Sequence, residues 1–141
     1  MSKNNIIVFR EKLLLPSEGF IKTNYLAFDK LRPFFIANEI GWNVSNLGFE
    51  HTKISDNFIK KKIFKINGRL PIASQNIVLN KSPKLIHAHF GKGGSLILPF
   101  AHKKNLPLYV TFHGADATKN KHFSKLSLRV FNRRRKDLIK Y

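Results

Sequence analysis

Strand-like and helix-like segments alternate along this chain, and that alternation limits its fold more than any other feature. Runs of β-branched, aromatic and apolar residues predict strands in the segments NIIVFREKL, RPFFIANEI, KLIHAHF and PLYVTF. Segments with apolar residues at helical spacing lie between them. Since parallel strands need a crossover, usually a helix, the pattern predicts an α/β fold with a Rossmann-like, mostly parallel sheet and helices on both faces.

The first helix is predicted to follow the first strand at once. Ser17 is a good N-cap residue, and Glu18 lies in the first turn, where the helix dipole favours a negative charge. Ile21, Tyr25 and Phe28 then recur at a spacing that forms one apolar helix face.

Three later segments have helical patterns of different clarity. LPIASQNIVLNKSP predicts a helix that ends before Pro83, and SLILPFAHKK predicts another that starts late or kinks because of Pro99. The segment NFIKKKIFKING places Ile59, Ile63 and Ile66 at helical spacing among lysines. It fits a basic amphipathic helix on a membrane or a strand with solvated flanks, and we favour an ordinary structural element.

Length and residue usage limit the classes of protein that the chain can belong to. With 141 residues and 43% hydrophobic content, the sequence predicts a single domain over residues 1–141. It has no cysteine, which excludes disulfides, thiolate metal sites and cysteine nucleophiles. No apolar run approaches the roughly 20 residues that span a membrane, and the N-terminal segment has too short an apolar core for a secretory signal. We therefore expect a cytoplasmic protein.

The chain is strongly basic, with 26 Lys and Arg against 8 Asp and Glu and a net charge of +18. Such a charge attracts nucleic acid, anionic membranes or phosphorylated substrates. The sequence is also rich in Lys, Asn and Ile together, so lysine can equally serve as the commonest solubilising residue. Both explanations stay open.

Three unusual segments follow predicted strands: LLPSEGF, HFGKGG and HGADAT. In a parallel sheet all strand-exit loops lie along one edge, and ligands of open α/β sheets bind in the crevice outside those carboxyl ends. The topology therefore brings these distant segments together and predicts a site there.

The glycine-rich segment fits two interpretations. Gly91, Gly93 and Gly94 permit positive φ and close approach to a ligand, with helix N–H groups for a phosphate and an added charge from Lys92. A glycine turn used only for tight packing explains the segment equally well. The dinucleotide fingerprint fails at its third glycine, where Leu96 stands.

Histidines cluster at the same strand exits. His87 and His89 lie two residues apart on a strand and so share one face. We disfavour a metal site, because catalytic zinc takes three protein ligands and nothing fixes His113 or Asp116 as the third. For His87 a half-buried histidine with a hydrogen-bond partner is the favoured interpretation, while Asp116 suits a sugar hydroxyl or a helix cap about equally.

The segments LLPSEGFIKTNYLAF, LIHAHFGKGGSLILPFA and PLYVTFHGADAT, in this order and spacing, resemble the N-terminal domain of glycosyltransferase family 4. The likeness is greatest to the branch that builds bacterial exopolysaccharide and capsule. The resemblance implies a GT-B enzyme with two Rossmann-like domains around a cleft. Its N-terminal domain holds a glycan or lipid-linked acceptor, its C-terminal domain holds a nucleotide-sugar donor, and transfer retains anomeric configuration without a metal or other cofactor.

The resemblance also implies roles for individual residues. His113 matches the catalytic histidine beside the reacting sugar, and Gly19 stands where that branch often has threonine. The remaining matches and strand-exit candidates form the predicted substrate-binding set: Ser17, Glu18, His89, Gly91, Lys92, Gly93, Gly94, Gly114 and Asp116.

Family members continue into a second domain, whereas this sequence ends at Tyr141. We expect a first domain that is incomplete at its C-terminal end and inactive alone, from a truncated gene, a partial gene model or a split enzyme. Because family enzymes that elongate lipid-linked glycans work at the membrane face, the segments FIKKKIFK and NRRRK are candidate contacts with an anionic membrane, while solvated surface charge is the favoured interpretation of each segment taken singly. The alternatives are a small basic nucleic-acid-binding module, disfavoured because most Phe residues fall within strand and helix patterns, and an inactive remnant.

Overall fold

The computed structural model describes residues 3–13, 19–41 and 44–114, together with Arg134 and Asp137. The strands are β1 (Asn4–Leu13), β2 (Leu31–Ile40), β3 (His51–Lys53), β4 (Leu85–His89) and β5 (Leu108–Thr111). The α-helices within these ranges are α1 (Gly19–Leu26), α2 (Phe58–Asn67), α3 (Ile72–Asn80) and α4 (Gly91–Lys103), and a 3₁₀ turn covers Val44–Asn46. The predicted strands are confirmed, and the short edge strand β3 was not predicted.

All five strands are parallel, in the order β3-β2-β1-β4-β5. The α/β class with a Rossmann-like parallel sheet is therefore confirmed. The chain moves outward from β1 to β3 and then returns to the other side of β1 with β4. This reversal places the topological switch point between β1 and β4, at the carboxyl ends of the two strands.

The central strand β1 is covered on both faces, as its continuous run of apolar residues requires. Ile7 and Phe9 belong to a core that includes Phe64 of α2, Val78 of α3 and Leu96 of α4. The opposite face of the sheet carries a second core, in which the buried residues of α1 pack with β1 and β2. Helices therefore cover both sides of the sheet.

The first helix confirms part of its predicted apolar face. Ile21 and Tyr25 are buried, but α1 ends at Leu26, so Phe28 lies beyond the helix and is exposed. The ambiguous basic segment forms the helix α2, which begins after an Asn57 side chain that accepts a hydrogen bond from the backbone N–H of Lys60. Over the described ranges no helix is long and apolar enough to cross a membrane.

Helix α4 begins at Gly91, immediately after β4, so the glycine segment is helical where a loop was predicted. The predicted late start is wrong, because Pro99 lies inside the helix. Its ring packs against the end of α2, where Gly68 adopts a left-handed conformation with φ of 72° and donates its N–H to the Phe64 carbonyl.

Replacement of Gly68 by alanine is expected to destabilise the fold by about 2 kcal/mol or more, because it combines left-handed backbone strain with overpacking. A Cβ at this position would lie 2.5 Å from Cγ of Pro99. The matched control is Gly48→Ala, since Gly48 also has positive φ (74°) but its nearest neighbour would be 4.0 Å away. Urea unfolding should show a clearly larger loss for Gly68→Ala; equal losses would contradict the packing argument.

Candidate functional site

The histidines of β4 lie at the carboxyl edge of the sheet, beside the topological switch point. Strand alternation directs the His87 and His89 side chains to the same face of the sheet. Their ring centroids are 4.6 Å apart, His89 is 1% exposed, and His87 is half-buried. The predicted shared face is therefore confirmed.

Tyr25 of α1 joins the two histidines. Its hydroxyl oxygen lies 2.5 Å from Nδ1 of His87 and 2.8 Å from Nε2 of His89. The Tyr25 ring also packs edge-on against Phe35 of β2, with centroids 5.3 Å apart. The sequence pattern assigned Tyr25 to an apolar helix face, and its polar role depends on a contact between residues more than sixty positions apart.

The hydrogen bonds continue from both histidines to the edge strand β5 and the residues after it. Nδ1 of His89 lies 3.0 Å from Nε2 of His113, and Nε2 of His87 lies 2.7 Å from Oγ1 of Thr111. We call the resulting chain of groups (Thr111, His87, Tyr25, His89 and His113) the histidine relay. The sequence indicated its three histidines as neighbours, but neither Tyr25 nor Thr111.

Aromatic rings surround the outer histidine of the relay. His113 lies between Phe90 and Phe20, with ring centroids 4.4 and 5.0 Å away, and stacks on His89 at 5.3 Å. The Arg10 guanidinium lies 3.9 Å above the Phe90 ring. These contacts bring together β1, the start of α1, the end of β4 and the segment after β5, which is the convergence that the exit segments predicted.

The inner groups of the relay are electrically neutral near pH 7. The pKa of His89 is lowered to about 3, mainly by burial and to a smaller extent by repulsion from positive charge on His87, His113 and Arg10. Burial is also the main cause that lowers the pKa of His87, with a smaller contribution from His113. Burial raises the pKa of the Tyr25 hydroxyl, which therefore keeps its proton.

The three glycines of α4 pack the helix against the sheet. Gly91, Gly93 and Gly94 are buried, and none of them has the predicted positive φ. The left-handed residue is Phe90, with φ of 67°, which turns the chain from β4 into α4. A Cβ on Gly93 would lie 3.7 Å from the Phe9 ring, so a small residue allows close contact between α4 and β1. Their predicted contact with a ligand phosphate stays a prediction.

Lys92 forms an ion pair with a buried carboxylate. Glu11 of β1, whose side chain is 6% exposed, contacts Nζ of Lys92, and Nζ of Lys65 lies 3.4 Å from its other oxygen. A buried carboxylate requires such partners, because an unpaired buried charge is costly. In this structure Lys92 therefore ties the first turn of α4 to β1.

Asn38 of β2 is a further polar group near this carboxylate that the sequence pattern did not indicate. Strand register places Asn38 beside Glu11, since Arg10 pairs with Ala37 and Lys12 pairs with Glu39. Its side chain is fully buried, and neither amide atom has a hydrogen-bond partner in the structure. Buried amides are usually paired, so Asn38 is an exception among the described residues.

The structure does not describe all of the predicted site residues. Ser17, Glu18 and Asp116 lie outside the described residues, and so does most of NRRRK. Gly114 is exposed and directly follows His113, with φ of 38°. Among the residues that the structure does describe, no group of three or more His, Cys, Asp or Glu side chains is arranged to hold a metal ion.

A groove of about 820 Å³ lies on the other side of the sheet, between the ends of α2, α3 and α4. Lys60, Arg69 and Lys103 line it together with apolar residues, and none of the relay histidines does. The histidine relay and this groove are therefore separate features of the structure.

No protein-family model matches the chain, and none of the curated proteins matches it in sequence. The resemblance to glycosyltransferase family 4 therefore stays a prediction. What the structure adds is the fold class and the arrangement of side chains at the switch point.

Replacing Lys92 with methionine is expected to destabilise the fold by about 1–3 kcal/mol, since it deprives a buried carboxylate of one of its two cations. The control is Lys12→Met, because Lys12 pairs with Glu39 at the surface, where both side chains are about half exposed. That change should cost under about 1 kcal/mol. Equal losses in urea unfolding would show that Lys92 has no special structural role.

The buried His89 is expected to make the protein acid-sensitive. The folded-state pKa of about 3 lies below the ordinary 6.5, so as pH falls below 6.5 the unfolded chain gains a proton that the folded protein does not. His89 alone should then reduce the free energy of unfolding by about 1.4 kcal/mol per pH unit, or about 2 kcal/mol at pH 5.

Urea unfolding at several pH values between 7 and 5 measures this slope. The variant His89→Asn should show a shallower pH dependence than the wild type, whatever its stability at pH 7. The exposed His51 provides the control, and His51→Asn should keep the wild-type slope. An unchanged slope in His89→Asn would contradict the assignment of a neutral buried imidazole.

Proposed function

We propose that the chain is the acceptor-side domain of a retaining, metal-independent glycosyltransferase of the GT-B type. This enzyme transfers a sugar from a nucleotide-sugar donor to a glycan or lipid-linked acceptor in surface polysaccharide synthesis. The observation that carries the proposal is the position of His113 at the switch point of a parallel sheet, hydrogen-bonded to His89 and flanked by aromatic rings.

The position of His113 suits a sugar-binding crevice. Phe20 and Phe90 provide apolar ring surface on either side of the imidazole, and small-molecule sites combine such surfaces with a few polar groups. In the proposed role His113 hydrogen-bonds a hydroxyl group beside the anomeric carbon of the transferred sugar. A hydrogen bond that strengthens as charge develops there accelerates transfer.

The N-terminus of α4 is the proposed binding position for the phosphates of the donor. The helix begins at the same sheet edge as His113, and a helix N-terminus favours a negatively charged group. We propose that the phosphates of the nucleotide sugar lie near Gly91 and that a second domain or a partner chain binds the nucleotide itself. Ser17, Glu18, Gly114 and Asp116 are the remaining proposed contacts at this edge.

The exposed surface of α2 supports peripheral binding of the protein to the cytoplasmic face of a membrane. Phe58, Ile59 and Ile63 are exposed on this helix, next to Lys61 and Lys62. Exposed apolar side chains beside basic ones suit peripheral binding to an anionic bilayer, to which each cation can add about 1 kcal/mol. A lipid-linked acceptor would be found at such a surface.

The nucleic-acid alternative has less support. Its stacking platform requires exposed aromatic rings along one surface. Phe9, Phe35 and Phe64 are buried in the two cores, and the most exposed rings, Phe58 and Tyr109, belong to different elements, α2 and β5. Positive charge is then its main argument, and charge serves the membrane proposal equally well.

The proposal predicts that His113→Ala abolishes polysaccharide synthesis. In cells whose own copy of the gene is deleted, the wild-type gene should restore the surface polysaccharide, and the variant should not. Loss of one hydrogen bond at a reacting centre lowers rates about 100-fold or more. The measurement is the amount and length of the polysaccharide on gels, with equal protein levels checked by immunoblot.

The control is His51→Ala, which removes an exposed histidine from the opposite edge of the sheet. It should restore the polysaccharide fully. Restoration by His113→Ala, or a deletion that leaves surface polysaccharide unchanged, would refute the proposed function.

A further inference from the structure

We propose that Tyr25 and His89 are positioning residues that couple the protonation of His113 to the tautomeric state of His87 through the histidine relay. The relay consists of four consecutive hydrogen bonds with heavy-atom distances between 2.5 and 3.0 Å. It runs from β5 through β4 and the buried side of α1, and returns to His113, the second residue after β5. The inference stands on this geometry and holds whether or not the protein is a glycosyltransferase.

The hydroxyl group of Tyr25 imposes a direction on the relay. It has one proton and contacts one nitrogen of each inner imidazole, and a neutral imidazole has one donor and one acceptor nitrogen. Tyr25 must therefore donate to one histidine and accept from the other. Because each ring passes this constraint to its second nitrogen, all the hydrogen bonds in the relay point the same way.

Two arrangements satisfy every group. In the first, Thr111 donates to Nε2 of His87, Nδ1–H of His87 donates to Tyr25, Tyr25 donates to Nε2 of His89, and Nδ1–H of His89 donates to Nε2 of His113. In the second, every donor and acceptor is exchanged, so that Nε2–H of His87 donates to Thr111. The tautomer of His87 thus differs between the two arrangements.

Protonation of His113 selects the second arrangement. A charged imidazolium has a proton on both nitrogens, so its Nε2–H must donate to Nδ1 of His89. From the first arrangement this state is reached by one proton transfer along each bond: Nδ1–H of His89 to His113, Tyr25 to His89, His87 to Tyr25, and Thr111 to His87. Solvent then returns a proton to the exposed Thr111, and only His113 gains a charge.

The surroundings keep the added charge off the inner rings. Among the described residues, the titratable and charged groups near them are Tyr25 on α1, Arg10 on β1, and the histidines themselves on β4 and after β5. Arg10 and the burial of His89 both oppose a positive charge on that ring. The inner rings therefore respond to His113 by a change of tautomer.

The relay also fixes the orientation of His113. Nε2 of this ring is held by His89 at 3.0 Å, and His89 is held in turn by Tyr25. Two buried groups thus set the imidazole plane at the crevice, which is the function of a positioning residue. In the proposed transferase they would keep His113 aligned while a substrate covers it.

The test uses the chain with ¹⁵N-labelled histidine and long-range ¹H–¹⁵N correlation spectra recorded from about pH 8 to about pH 5. The ¹⁵N shifts distinguish the two neutral tautomers from each other and from imidazolium. In the wild type, His87 should stay neutral and shift toward the Nε2–H tautomer with the same midpoint at which His113 titrates. A His87 tautomer that does not follow His113 would overturn the proposal.

Two variants identify the route. Tyr25→Phe keeps the ring and removes the hydroxyl, so the tautomer of His87 should no longer follow His113. The matched control is Tyr109→Phe, which removes a hydroxyl from an exposed tyrosine of β5 and should preserve the coupling. Coupling that persists in Tyr25→Phe would overturn the proposal as well.

A third variant covers the case in which Tyr25→Phe does not fold, as judged by circular dichroism. In His113→Ala the tautomer of His87 should be independent of pH over this range. These measurements need no sugar substrate, so failure of the relay and failure of the proposed transferase function are distinguishable.

Discussion

Burial of β1 on both faces is the constraint on which the rest of this structure depends. Residues 6–9 are almost completely inaccessible, so one layer of helices must cover each side. β1 is central because β2 and β3 are added on one side of it and β4 and β5 on the other. The switch point, and with it the meeting of α1, β4 and the residues after β5, follows from that arrangement.

The same burial explains why the histidines are linked. A polar group inside an apolar layer needs a hydrogen-bond partner, because its water is lost. His89 is enclosed between α1 and the sheet, and Tyr25 is the residue of α1 whose hydroxyl reaches it. Asn38 lies in a similarly buried position without such a partner. The difference is that the fold supplies a partner for the buried His89, whereas the structure describes none for the side-chain amide of Asn38.

The sequence predicted what depends on local pattern and on topology. Strand periodicity located four of the strands, and the rule that parallel strands share a carboxyl edge predicted that the histidines lie together. The misassignments have physical causes. The segment His51–Lys53 is too short and polar to show a strand pattern. The left-handed conformation expected at the three glycines of α4 is adopted by Phe90, the residue before them. Tyr25 and Glu11 were missed because their roles depend on long-range packing.

The charges around the histidine relay determine the protonation state of its inner rings. The groups whose charge acts on the pKa of His89 are Arg10 and the imidazoles of His87 and His113, which are positive when protonated, and burial acts in the same direction. No carboxylate of the described residues acts on the pKa of either inner ring, whereas a neighbouring carboxylate would stabilise imidazolium there. Glu11, the buried acid of β1, is instead held by Lys65 and Lys92. Burial and these charges thus keep the inner rings neutral, and neutral rings are what the proposed relay requires if they are to change tautomer.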